Sequence, residues 1–421
     1  MLSTVKNLFG EFMNAMIKKL LQGQAVEWQT LGEVLVRTKG TKITAGKMKE
    51  LHKSNAPIKI FAGGKTFALV DFDDIPQKDI NHKPSIIVKS RGIIEFEYYD
   101  KPFSHKNEMW AYHSQNPNIN IKFIYYFLKQ NEPYFQQIGS KMQMPQIATP
   151  DTDKFQIPIP PLSVQSQIVQ ILDTFTELTE QLTAELSMRQ KQYHYYRDLL
   201  LTFDEKISGG GENNPFFCQN VLWKRLGEVA FFYGGLTGKS KHDFENGNAK
   251  YITYKNIFSN IEIQPDNLEM VKISDNERQH QVKYGDILFT GSSEIPEEVG
   301  MSSAVTTKFD EPIYLNSFSF GIRFNDDIQI TPEFAKYLFR SNIIRREIIR
   351  TANGVTRFNV SKERFKKIPI PIPPLSVQSQ IVQILDTFDS LTNSISDGLP
   401  KEIKLRQKQY EYYRERLLTF G

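Results

Sequence analysis

The stretch Ile157–Phe175, "IPIPPLSVQSQIVQILDTF", returns unchanged at Ile370–Phe388, 213 positions later in a chain of 421 residues. Its first five letters exclude helix. Proline has no amide donor and holds the residue before it extended, so "IPIPP" reads as a stiff strap. Helix is predicted from there on, with Ser163 and Ser376 where an N-cap belongs and glutamines following for a capping box. Apolar residues then recur at Ile168, Ile171, Phe175, Leu178, Leu182, Leu186, Tyr193, Tyr196, Leu200 and Phe203. Steps of three and four make this the seam of a coiled coil. The step from Leu182 to Leu186 is a stutter that locally unwinds the supercoil. "TEQLTAEL" at 179–186 reads as two tetrads in tandem, each nearly one helical turn.

The repeat reaches beyond this stretch. "RQKQYHYYRDLLLTF" (189–203) matches "RQKQYEYYRERLLTF" (406–420), and "VEWQTLGEV" (26–34) matches "VLWKRLGEV" (221–229). The offset grows to 217, so the second copy holds four extra residues between strap and helix end. Gly398 and Pro400 fall near there and predict a kink or break, because proline costs about 3 kcal/mol inside a helix. Between the frames, regions 26–156 and 221–369 show almost no mutual identity. The expected organisation is an N-terminal amphipathic helix (1–24), a first globular region (25–156), strap and long helix (157–203), a linker (204–220), a second globular region (221–369), and a second strap and helix (370–421).

The expected fold class is α+β: two globular α/β-mixed regions separated by two long antiparallel coiled-coil helices, with an internal pseudo-two-fold repeat. Each helix of about 40 residues spans roughly 60 Å. Alone it exposes its seam; two related copies bury it against each other. Ile168, Phe175, Leu182, Tyr193 and Leu200 carry that spacer in the first copy, and Ile381, Phe388, Tyr410 and Leu417 in the second. The alternative is that each helix packs only on its own domain.

Composition is globular, and no run approaches the roughly 18 to 20 apolar residues of a membrane helix. The single cysteine, Cys218, excludes an intrachain disulfide framework and a cysteine zinc site, and points to the cytoplasm. Net charge is only +4 but unevenly placed: residues 37–65 carry eight Lys/Arg against Glu50, and residues 323–367 carry eleven against five acids. Two basic zones suggest two polyanion-facing surfaces, although charge alone fits solvated helix and loop faces equally well.

Catalytic signatures fail on inspection. "GGKTF" (63–67) and "GGLTGKS" (234–240) lack the first glycine of a P-loop, yet suit an isolated phosphate such as one on a DNA strand. "NNPFF" (213–217) lacks the second proline of a base-flipping methyltransferase motif, and "PDTDK" (150–154) has the wrong spacing for a nuclease. The seven histidines show no metal-ligand spacing. What remains is polar loops whose Arg, Lys, Asn and Gln can pair with base edges or phosphates. In the first region the candidates are Gly64, Lys65, Lys89, Ser90, Arg91, His105, Lys106, Lys141 and Gln143. In the second they are Lys239, Lys241, Lys255, Asn256, Ser292, Ser293, Asn316, Ser317, Thr356, Arg357 and Asn359.

The doubled strap, the helix ending "RQKQYxYYRxxLLTF", the "W..LGEV" lead-ins, "YGDILFTGSS" (284–293) and "TANGVTRFNVSKERFKKIPIPIPPL" (351–375) together resemble the specificity subunit of Type I restriction–modification enzymes over essentially the whole chain. The resemblance implies a non-catalytic subunit whose two variable regions each read one half of a bipartite DNA site. It implies that the helices set the gap and dock two methyltransferase subunits. S-adenosylmethionine, ATP and Mg²⁺ are then expected on partner subunits, with restriction and translocation subunits in the full complex and adenine as the methylated base. The rival readings are a stand-alone DNA-binding or regulatory protein with a coiled-coil core, and an enzyme fused to its own readers, for which too little chain remains.

Overall fold

The computed structural model describes residue 21 and residues 25–140, 144–203, 220–394 and 397–420. All of the expected helix over 1–24 except residue 21, nearly all of the linker, "NNPFF", Lys141 and Gln143 lie outside the described residues. The chain divides into two compact units, residues 1–183 with 402–421, and residues 184–401. No helix among the described residues is long and apolar enough to cross a membrane.

The repeated frame folds the same way in each unit. In the first, Glu27–Thr30 pairs antiparallel with the strap strand Gln156–Ile159, Trp28 opposite Pro158. In the second, Leu222–Arg225 pairs with Pro369–Ile372, Trp223 opposite Pro371. These two-stranded ribbons tolerate proline because nothing else needs the missing amide.

The long helices start two residues earlier than the serine cap predicts, at Leu162 and Leu375. Pro374 holds the cap position without a side-chain bond, because the strap has already fixed the backbone there. Three residues beyond Ser163 stands Ser166, not an acceptor that could close a capping box. The glutamines act elsewhere. Gln165 donates to Pro160 O (2.7 Å) and Asn118 O (3.1 Å) and accepts from Asn120 N (2.8 Å). Gln378 repeats this with Pro373 O (2.8 Å), Gln329 O (2.7 Å) and Thr331 N (3.0 Å). Each buried amide thus ties strap, helix and the N-terminus of a helix of the globular region into one joint. Gln165→Ala and Gln378→Ala should each lower stability by about 1–3 kcal/mol, since both strand buried backbone partners; chemical denaturation followed by far-UV circular dichroism measures it.

Further along, Tyr126 Oη donates to Asp173 (2.5 Å) and Tyr337 Oη to Asp386 (2.6 Å), a pair of equivalent bonds 213 residues apart on the acceptor side. Each unit also contains the end of the other copy's helix. Phe175 stacks on Tyr413 at 4.9 Å in the first unit, and Phe388 on Tyr196 at 5.5 Å in the second. Residues 176–180 meet Gln407 and Tyr410 while Phe175 meets Tyr413, so the helical segments run antiparallel. Of the spacer residues, Ile168, Tyr193, Leu200, Ile381 and Leu417 are buried in unit cores, whereas Phe175, Leu182, Phe388 and Tyr410 are half-buried.

The first long helix is continuous over Leu162–Leu200. The second is broken: Leu375–Asn393 ends, and a new helix runs over Leu399–Leu417. Gly398 sits between them at φ +94°, where a Cβ would lie 2.4 Å from Ser390 O. A glycine is required there, and the predicted interruption is a clean break.

The globular regions, so different in sequence, share a topology. In the first, a four-stranded antiparallel sheet runs Val36–Arg37, Trp110–His113, Ser85–Lys89, Glu95–Tyr99. In the second the order is Ala230–Gly234, Ser319–Phe324, Ile287–Thr290, Ser302–Ala304. A second sheet repeats as well. Ile58–Phe61 pairs antiparallel with Phe67–Val70 and parallel with Phe103–His105; Ala249–Ile252 pairs antiparallel with Leu268–Val271 and parallel with Ile313–Leu315. Two helices follow each time, Ile121–Gln130 and Glu132–Gly139, then Pro332–Leu338 and Asn342–Arg350.

Candidate nucleic-acid interface

Shared topology equates loops that sequence comparison cannot align. The turn after Ile58–Phe61 (Gly63, Gly64, Lys65) corresponds to the segment after Ala249–Ile252 that holds Lys255 and Asn256. The hairpin holding Ser90 and Arg91 corresponds to the loop holding Ser292 and Ser293. The loop leaving Phe103–His105 corresponds to the one leaving Ile313–Leu315, which holds Asn316 and Ser317. Residues 37–42 correspond to 234–241, both following the first strand of the larger sheet.

In the first region these loops gather around two adjoining clefts of about 650 and 260 Å³ that share Ser90, Arg91, Glu108 and Met109. Residues 37–40, His105, 107–110 and 146–149 line one, and Gly63, Thr66 and Lys106 the other. In the second region Lys239, Lys241, Lys255, Asn256, Asn316 and Ser317 share a cleft of about 980 Å³. Tyr254, at the start of the helix Tyr254–Ser259, donates to Ser292 O (2.8 Å), which joins this cleft to the sheet pairing Ser292 with Asn359. Arg357 donates to Ser292 Oγ at 3.1 Å, placing the tip at 353–357 beside them.

The candidates divide by what holds them. His105 is buried: Nδ1 meets Lys106 O at 2.9 Å and Nε2 meets Thr38 Oγ1 at 2.8 Å. Burial holds the imidazole below its ordinary pKa and therefore neutral, so it builds the cleft floor. Gly40 passes so close that a Cβ would lie 2.5 Å from that ring. Lys89 bridges Glu95 (2.7 Å) and Glu97 (2.8 Å); burial opposes its charge, yet the two carboxylates keep the ammonium above its ordinary value. Lys106 pairs with Glu108. Lys239, its side chain only 4 % exposed, pairs with Glu277 and donates to Lys272 O at 2.6 Å. Asn256 closes its own loop through Gln264 O (2.9 Å), Asn267 O (3.1 Å) and Gln264 N (3.0 Å). Asn316 donates to Ile252 O at 3.0 Å, and Ser90 and Ser292 are buried. These residues shape the loops.

The exposed groups are those that can meet a ligand. Gly64, at φ +65°, turns the hairpin that carries exposed Lys65. Arg91 stands at the next tip. In the second region Lys241, Lys255, Ser317, Thr356, Arg357 and Asn359 are exposed, and Ser293 is half-buried. Lys39, Lys42, Lys65, Arg91, Lys241, Lys255 and Arg357 make no ion pair among the described residues, so each leaves an unneutralised cation at a loop tip. Sequence reading counted Lys39 and Lys42 in the first basic zone but did not single them out as candidates, nor Tyr254 and Phe318; "RTKGTK" and "GKSK", each following an "LGEV", were the signal for the lysines.

Both basic zones shrink on folding. Lys53 is taken by Asp71 and Asp74, and Lys59 by Glu97. In the second zone Arg323 pairs with Asp286 at 2.7 Å and Lys336 with Asp386 at 2.9 Å. Arg340 and Arg345 are enclosed by backbone carbonyls, including Ser302 O (2.7 Å) and Gly300 O (2.6 Å), and burial pushes both guanidinium groups down to about 10. These four cations are taken up by partners within the protein. "GGLTGKS" leads into a short turn, Lys241–Phe244, not the long helix that a P-loop caps. Among the described residues no cluster of His, Cys, Asp or Glu is arranged to hold a metal ion.

Comparison with known proteins matches this arrangement. The profile of the Type I restriction modification DNA specificity domain matches twice, over residues 25–188 and 220–405. The chain is 33 % identical over 414 residues to the specificity subunit of the Escherichia coli Type I restriction enzyme EcoR124I/EcoR124II, with 96 % of each chain covered. Its fold is similar to the S subunit of a Type I restriction–modification system from M. genitalium, at a TM-score of 0.55 and 17 % identity over 95 % of this chain and 98 % of that one. A chain from a structure of a type I R-M system solved for its assembly and conformational transition gives a TM-score of 0.55 at 15 % identity, covering 94 % and 98 %.

Proposed function

The chain belongs to the Type I restriction modification DNA specificity family, and from that membership we propose that each of its globular regions reads one half of a bipartite DNA site. In this reading the chain is the recognition subunit of a modification and restriction complex in the cytoplasm and performs no reaction itself. Two methyltransferase subunits bind the repeated frame, bring S-adenosylmethionine and methylate adenine; ATP and Mg²⁺ serve the restriction subunits.

One observation carries this reading: two nearly identical frames hold loop sets of the same topology and unlike side chains. A repeated frame suits one kind of partner bound twice. Unlike loop tips on a common scaffold suit two different base sequences. The unpaired cations Lys39, Lys42, Lys65 and Arg91, and Lys241, Lys255 and Arg357, supply phosphate contacts and guanine-edge forks. Buried residues such as Asn256, Asn316 and His105 hold those tips still, which lowers the ordering cost on binding.

The passages between the compact units, at 183/184 and 401/402, fall inside helices. A helix is the stiffest covalent connection a chain can make, so helix length is suited to set the gap between half-sites. Roughly 60 Å of helix exceeds one B-DNA turn of ~34 Å.

Purification tests the reading. Coexpressed with the modification subunits, the chain should recover them and gain sequence-selective duplex binding that weakens steeply with salt. A chain that binds one contiguous sequence selectively by itself and recovers no modification subunit would be the stand-alone regulator instead.

A further inference from the structure

Phe318 is 62 % exposed, yet both its backbone N–H and its carbonyl are hydrogen-bonded within the protein. Asn316 Oδ1 accepts from Phe318 N (3.1 Å) and from Ser319 Oγ (3.0 Å), and Phe318 O accepts from Gly291 N (2.8 Å). Two glycines make room for this loop. A Cβ on Gly235 would lie 1.9 Å from Asn316 O, and one on Gly291 would lie 2.7 Å from Phe318 O. A buried asparagine and two glycines just beyond the ends of neighbouring strands therefore hold a ring out in solvent. The ring makes no contact with another aromatic ring among the described residues. It lies on the cleft that also carries Lys241 and Lys255, the cations suited to phosphate.

The equivalent loop of the first region is polar at that point: Lys106, Asn107 and Glu108, with Lys106 and Glu108 ion-paired. An exposed apolar tip on this loop is therefore particular to the second region. Among base edges in the major groove, the one apolar feature is the C5-methyl group of thymine, and phenylalanine is one of the side chains that meets it.

We propose that Phe318 is the apolar base contact of the second region, its ring set against the C5-methyl group of a thymine in the second half-site. The proposal rests on the half-site reading given above. It makes Phe318 a specificity determinant, with Asn316, Gly235 and Gly291 as the positioning residues behind it.

The test uses the full modification complex and duplexes in which each thymine of the second half-site, on either strand, is replaced in turn by uracil. With the unaltered chain, one replacement should slow methyl transfer about tenfold. With Phe318→Ala the thymine duplex should be slowed to a similar degree and the thymine–uracil difference at that position should vanish. Replacements in the first half-site should affect the two proteins alike, and the melting temperature should not move. Indifference of the unaltered complex to every second-half replacement, or a thymine preference that survives Phe318→Ala, overturns the proposal while a bipartite site still stands. Absence of any bipartite site overturns the half-site reading and this proposal together.

Discussion

Replacing residues 221–369 with the corresponding region of a relative of different specificity is expected to change one half of the methylated motif and leave the other half and the gap as they were. The joints that must survive the exchange combine main-chain bonds with the apolar packing of Phe334, Tyr337 and Leu338 in the core that also holds Ile381 and Leu385. Leu222–Arg225 pairs with the strap through main-chain bonds, and Gln378 reaches Thr331 N and Gln329 O, backbone groups that any sequence offers. Polar side-chain ties across the seam run from Tyr337 and Lys336 to Asp386, and their counterparts in the first region from Tyr126 and Lys122 to Asp173. A donor region that carries the tyrosine, the lysine and the same apolar face should seat without loss. A mismatched base pair in a specific site costs about 1–3 kcal/mol, so exchanging several at once abolishes methylation of the old second half altogether. Mapping methylated bases on DNA from cells expressing the hybrid reads the result directly.

Deleting Thr183–Leu186 is expected to shorten the gap by one or two base pairs without changing either half. The tetrad straddles the point where the chain passes from one compact unit to the other, within the unbroken helix Leu162–Leu200. Four residues remove about 6 Å of helix and about 40° of rotation beyond a full turn. One base pair advances B-DNA by roughly 3.4 Å and 35°, so the rotation matches one step and the length somewhat less than two. The helix tolerates the loss. The spacing from Leu182 to Tyr193 is eleven residues and becomes seven, a regular heptad step in place of the stutter. The ion pair lost, Arg189 to Glu185 at 2.7 Å, is half-exposed and contributes about 0.3–0.5 kcal/mol. Deleting two or three residues instead turns the seam away from its partner and should cost stability outright. An unchanged gap after removal of the tetrad would take the measuring role away from this helix.

Much of the frame was legible because its rules are local. Proline forbids helix in "IPIPP", the three-four spacing demands one afterwards, and Gly398 with Pro400 forecasts the break between Asn393 and Leu399. A doubled sentence also announces a doubled structure whatever it encodes. The serine cap failed because the strap already fixes the backbone before Leu162 and Leu375 and leaves a capping side chain nothing to add. The seam was read correctly as apolar, but its middle, at Phe175 and Leu182, is only half-buried.

Common topology of the two globular regions could not be read, since strand order is set by pairings tens of residues apart and each face was filled with different side chains. The loop candidates suffered from the same blindness. Asn256, Asn316, Lys239 and His105 have the chemistry of base readers, and only their neighbours in space show that Gln264, Ile252, Glu277 and Thr38 already hold them. Composition likewise counted Arg340 and Arg345 as surface charge, although backbone carbonyls enclose both. Phe318 was missed for the opposite reason: an aromatic residue between two short strands reads as core, and only its exposure marks it out.

The measurement that bears most directly on the central claim is a genome-wide map of methylated adenines in cells carrying the modification subunits, with and without this chain. The expected motif depends on the chain and consists of two unlike specified halves separated by a fixed run of unspecified bases. A contiguous motif, two identical halves, or a pattern of methylation indifferent to the chain would contradict it.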